Sequence, residues 1–144
     1  KKEEVVFKKP IRVWIKSVKA EKSSNLKSTI HAGLTKDMLD DIGGRFDLLL
    51  NSGTGFKSIH LGEDFTYENQ KVSLVANGES VEISQLCKID NCSIQVQSNE
   101  SVWFCFNLSY PWIESELAFF ASHLDYDEPI EMRIIDSQLE LGGL

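Results

Sequence analysis

Asn77-Gly78 sits between two runs of apolar residues spaced with period two, and no other stretch of this chain restricts the backbone as tightly. Both residues readily adopt positive φ, which a type I′ turn requires at its two central positions, so the dipeptide folds the flanking runs onto each other as a hairpin. A two-residue loop pairs Leu74 with Val81 and Val72 with Ile83. These branched side chains share one face, and Ser73, Glu82, Val75 and Ser80 fall on the other. Turn chemistry and hydrophobic pattern specify the same register independently.

The same alternation runs from Ile11 to Lys16, with Ile11, Val13 and Ile15 on one face and Arg12, Trp14 and Lys16 on the other. Pro10 can open such a strand, and the phase change at Ser17-Val18 predicts a bulge or the strand's end. The polar stretch from Lys19 to Thr29 reads as a loop. A second hairpin joins Cys92–Val96 to Val102–Leu108. Only a three-residue-loop register collects Cys92, Ile94, Val96, Val102, Phe104, Phe106 and Leu108 on one face. That register turns Trp103, Cys105 and Asn107 to the opposite face, which is then either covered by a helix or left as an exposed aromatic surface. Ile130, Met132 and Ile134 alternate in a further strand, followed by a turn near Ser137-Gln138 and a last strand through Leu139 and Leu141.

Two segments carry helical spacing. Thr35 can cap a short helix with Met38, Leu39, Ile42 and Phe46 on its apolar side, cut short by Gly43-Gly44. Tyr110-Pro111-Trp112 opens the second, with Ser109 as cap and Ile113, Leu117, Phe120 and Leu124 as its stripe, closed by Asp125, Asp127 and Pro129. The resulting expectation is an α+β fold, a mainly antiparallel sheet of about six strands with two helices packed on one face. The 144 residues read as a single domain, 1–144, and the opening Lys1 marks a processed chain or a piece of a longer one. No uncharged apolar run approaches the roughly 18 residues of a membrane helix, so no membrane partner is expected. The three cysteines, Cys87, Cys92 and Cys105, are odd in number and lack CxxC spacing, which points to a reducing, cytoplasmic setting.

Charge divides along the chain. Residues 1–30 hold nine Lys or Arg against three Glu, and the remainder holds six Lys or Arg against nineteen Asp or Glu, so +6 precedes −13 in a total of −7. The leading expectation is therefore a non-enzymatic acidic protein that associates with a basic macromolecular partner such as a toxin or enzyme, in the manner of inhibitor and immunity proteins. Glu63, Asp64, Trp103, Asp125, Asp127 and Glu128 are its contact candidates. The alternative is an accessory domain of a nucleic-acid-handling protein that uses the basic N-terminal strand of residues 8–22. Arg12, Trp14 and Lys16 place an indole between two cations, the combination that grips single strands, and the acidic remainder counts against it. A third reading, a small hydrolase or transferase, requires a His or Cys beside a carboxylate in a pocket.

The remaining motifs are weak. Gly53-Thr54-Gly55-Phe56-Lys57-Ser58 fails as a phosphate loop because Phe56 separates Gly from Lys. His123, Asp125, Asp127 and Glu128 lack a second ligand pair of defined spacing, and His60 with Glu63 and Asp64 is weaker still, so neither metal nor cofactor is expected. Cys87 and Cys92 are read as buried apolar groups flanking a turn at Lys88–Asn91.

Overall fold

Period-two alternation governs more of the chain than the sequence reading assigned to it. The computed structural model describes residues 9–21, 25–34, 58–96, 102–124 and 128–136. Within them the order is β1 (Ile11–Ala20), β2 (Asn25–Leu34), β3 (Ser58–His60), a 3-10 turn (Glu63–Phe65), β4 (Tyr67–Ala76), β5 (Glu79–Glu82), β6 (Cys87–Val96), β7 (Val102–Pro111), α1 (Glu114–Ser122) and β8 (Ile130–Asp136). The strands pair antiparallel in the order β3-β6-β7-β2-β1-β8-β4-β5, and a further β4–β6 pairing closes six of them into a barrel.

The expected α+β sheet with two helices on one face is thus replaced by a closed barrel with one helix among the described residues. The physical reason is that each barrel strand carries an inward apolar row, so the sheet buries that face against itself and needs no helical layer. Bulges supply the curvature. Register shifts lie between Ile15 and Ser17 in β1, Tyr67 and Gln70 in β4, and Asp90 and Ser93 in β6. In the last two, Asn69 (φ 59°) and Asn91 (φ 53°) take the left-handed conformation that asparagine tolerates better than most residues.

Both hairpin registers are as the pattern requires. Leu74 pairs with Val81 across Asn77 (φ 51°) and Gly78 (φ 80°), and Ile94 pairs with Phe104 and Val96 with Val102 across the second connection. Ile11, Val13 and Ile15 are buried, as are Ile130, Met132 and Ile134. Other boundaries shift. β1 continues through its bulge to Ala20, and the stretch read as a loop contains the first half of β2, whose inward row is Leu26, Ser28, Ile30, Ala32 and Leu34. Cys87 and Cys92 do not flank a turn; they lie on β6 on either side of its bulge.

Tyr110 and Pro111 end β7 instead of opening a helix, Ser109 is a strand residue, and α1 starts three residues beyond Pro111 with Ile113 at its cap position. The helix also presents a different face from the expected stripe. Glu116, Phe119, Phe120 and His123 are buried, whereas Ile113 and Leu124 are exposed. Two polar side chains can face inward because each finds a backbone partner: Glu116 Oε2 accepts from Ser84 N at 2.9 Å, and His123 Nδ1 lies 2.9 Å from the Phe119 carbonyl. The expected helix at 35–46, the loop 53–57 and the final strand through Leu139 and Leu141 lie outside the described residues.

Candidate functional site

Inward burial of one residue in two leaves the alternate residues of neighbouring strands side by side on the barrel's outer wall. Across β1, β2, β7 and β6 these outward residues form rows. One runs Arg12, Gly33, Trp103, Gln95 and the next Trp14, His31, Cys105, Ser93. Beyond the β1 bulge come Ser17, Thr29 and Asn107, then Lys19, Lys27, Ser109 and Lys88. The wall therefore has an aromatic end and a cationic end, joined by a polar row that ends in Asp90 on β6 and in which Thr29 Oγ1 donates to Asn107 Oδ1 at 3.1 Å.

At the aromatic end Trp14 and Trp103 are half-buried and meet edge to face, with ring centroids 5.0 Å apart at 73°. Such a pair adds about 0.5–1.5 kcal/mol beyond the area it buries. His31 tilts toward Trp103 with centroids 6.2 Å apart. Gly33 lies beneath both indoles. A Cβ built there would stand 3.5 Å from Trp14 and 3.8 Å from Trp103, in ordinary van der Waals contact with both rings. Arg12 and Lys16 flank Trp14 on β1 and are exposed.

The charge division seen in sequence becomes a division in space. β1, β2 and β7, which are adjacent in the barrel, contain Arg12, Lys16, Lys19 and Lys27 and no Asp or Glu. Of the carboxylates among the described residues, Glu21 follows directly on β1, Glu131 on β8 is the cross-strand partner of Arg12, and the rest lie on or beside β4, β5, β6, α1 and β8. Lys19 and Lys27 are direct cross-strand partners, a pairing of like charges that weakens a sheet in isolation. Lys88, at the far end of that row, lies 3.9 Å from Asp90.

The other sequence candidates scatter. Glu63 is exposed in the 3-10 turn, with Asp64 in the same turn, and it lines an open recess of about 670 Å³ together with Glu68, Lys88 and Asp90. Trp103 does not line that recess; it belongs to the basic wall beside Trp14. Glu128 is exposed just before β8, and Asp125 and Asp127 lie outside the described residues. His60 is exposed on β3, while His123 is buried, packed on Phe119 at 4.4 Å and turned back on its own helix. Among the described residues no group of three or more His, Cys, Asp or Glu is placed to hold a metal.

The thiols are unsuited to nucleophilic work. Burial, helped by the Glu116 charge, pushes Cys87 up to about 12, and burial with the Asp90 charge does the same for Cys92. Burial raises Cys105 to about 11 against an opposing hydrogen bond from Ser93. No protein-family model, curated protein or solved structure matches the chain. Its chemistry must therefore be read from the wall itself.

Sequence reasoning found Arg12, Trp14 and Lys16 together, with Lys19 inside the basic stretch 8–22, and Trp103 separately, and it missed Lys27, His31 and Gly33. The missing signal was the alternation of Leu26, Ser28, Ile30, Ala32 and Leu34, masked by the polar Ser28 in an inward place and by the Lys, Ser and Thr around it.

Proposed function

We propose that this barrel is a single-stranded nucleic-acid-binding module that uses the outer wall of β1, β2 and β7. One observation carries the reading: three adjacent strands bring two indoles together with Arg12, Lys16, Lys19 and Lys27 and carry no carboxylate. Single strands are held by stacking of bases on aromatic rings and by cations along the backbone, and both are needed on one surface. The described carboxylates of residues 31–144 lie outside these three strands.

Titration of the protein with a fluorescent single-stranded oligonucleotide tests this. Replacing Arg12 and Lys16 together with Ala should abolish binding at moderate salt. Trp14→Ala or Trp103→Ala should each weaken it by about 1–3 kcal/mol, the value of one base stacked on an aromatic ring. Saturation that is absent, or that none of these substitutions changes, defeats the reading.

A second reading, docking of a basic macromolecule on the acidic half, is favoured by the recess that Glu63, Glu68 and Asp90 surround. The Arg12 and Lys16 substitutions separate the two, since association with a basic partner through that recess should be indifferent to them.

A further inference from the structure

The two ends of the wall differ in chemistry, and the difference sets a direction and a minimum length for what lies on it. Lys27 and Gly33 are six residues apart on β2, so the lysine row and the row of Arg12, Gly33 and Trp103 are separated by about 20 Å at strand rise. Between them lie Trp14 and His31, then Ser17, Thr29 and Asn107, with Lys16 exposed at the β1 bulge and Asp90 opposite Asn107 on β6. At the cationic end Lys19 faces Lys27 directly, and neither forms an ion pair among the described residues. Two like charges set opposite each other are unfavourable unless an anion lies between them. At the other end the indoles over Gly33 offer ring surface, with Arg12 as the adjoining cation.

We infer that the wall holds a single strand in two separate grips, bases on Trp14 and Trp103 and backbone phosphates on Lys19 and Lys27, with the strand lying along the β1–β2 ribbon. This rests on the nucleic-acid reading above and goes beyond it by assigning each end its part of the ligand. A chain too short to bridge the ends engages only the tryptophans and the cations beside them, Arg12 and Lys16. A chain that spans them gains the lysine pair, and affinity then levels off. The smallest sites on comparable barrels, about four nucleotides, agree with the distance between the rows.

The test is a length series of oligothymidylates and oligouridylates, from about two to about twelve nucleotides, followed by tryptophan fluorescence on the whole chain. For the unaltered protein a rise of about tenfold or more in affinity is expected between about three and six nucleotides, with a plateau beyond. In the Lys19→Ala/Lys27→Ala variant the rise should vanish while the affinity for the shortest oligomers stays within about twofold. Both lysines are exposed, and matching thermal unfolding curves establish that the variant is folded. A rise that persists in the variant, or an equal loss at every length, overturns the two-grip assignment and leaves the nucleic-acid reading standing. If no oligomer of either series quenches the unaltered protein, both are wrong. A rise in both series assigns the grips to the shared base and phosphate chemistry, and a rise confined to the oligouridylates, which would trace it to the 2′-hydroxyl, overturns them.

Discussion

Glu116 shows how one residue ties the helix to the barrel. Its side chain is buried, one carboxylate oxygen accepts from Ser84 N, and its charge joins burial in raising the pKa of Tyr110 and Cys87. Glu116→Ala leaves the Ser84 amide without its partner and should lower unfolding free energy by about 1–3 kcal/mol in a urea titration, while Glu116→Gln, which keeps an acceptor, should lose less than half of that. The buried thiols set a pH dependence. Their folded values lie near 12, 12 and 11 against an ordinary 9.0, so unfolded thiols ionise while folded ones stay protonated. The stability they contribute is complete below pH 9.0 and declines as the pH rises toward those folded values. The urea midpoint should therefore fall between about pH 8 and about pH 10.5, and fall less in a Cys92→Ala variant measured against its own midpoint at the lower pH.

At the scale of elements, the turns and bulges decide where the barrel bends. Nothing lies within 4 Å of a Cβ built on Gly78, whose φ is 80°, so Gly78→Ala tests backbone conformation free of any clash. It should cost about 1–2 kcal/mol, read as a lower denaturation midpoint at unchanged slope. Asn91, exposed at the β6 bulge with φ 53°, should accept Gly within a few tenths of a kcal/mol and be destabilised by Val by more than about 1 kcal/mol. α1 depends on its aromatic contacts, since Phe120 is wholly buried and packs near Tyr110 at 6.3 Å. Phe120→Ala should cost about 3–5 kcal/mol, most of it through the cavity left behind.

For the whole molecule the property that bears on binding is the grouping of basic strands in one sector of a closed barrel. A net −7 protein is poorly disposed toward a polyanion on average, yet its basic strands are contiguous, and contact occurs locally. If Arg12, Lys16, Lys19 and Lys27 each neutralise one phosphate, the logarithm of affinity for a single strand should fall against the logarithm of salt with a slope near −2.8, or about 0.7 per contact. Removing Lys19 and Lys27 should cut that slope by roughly half, and equilibrium binding across a salt series measures both values.

The sequence by itself determined the local registers. Asn77-Gly78 and the alternation around it, the inward set from Cys92 to Leu108, and the faces of Ile11–Lys16 and Ile130–Ile134 all follow from side-chain periodicity, which acts between neighbours in the chain or across one turn. It also marked Arg12, Trp14 and Lys16 as an unusual trio. Only the tertiary structure decided that the sheet closes on itself through β4 and β6, that β2 lies between β1 and β7, and that Trp103 therefore meets Trp14 across a bare Gly33. Closure and strand order depend on bulge positions and on pairings between residues far apart in the chain, and a period-two pattern is the same whether its strand lies in a flat sheet or a barrel wall.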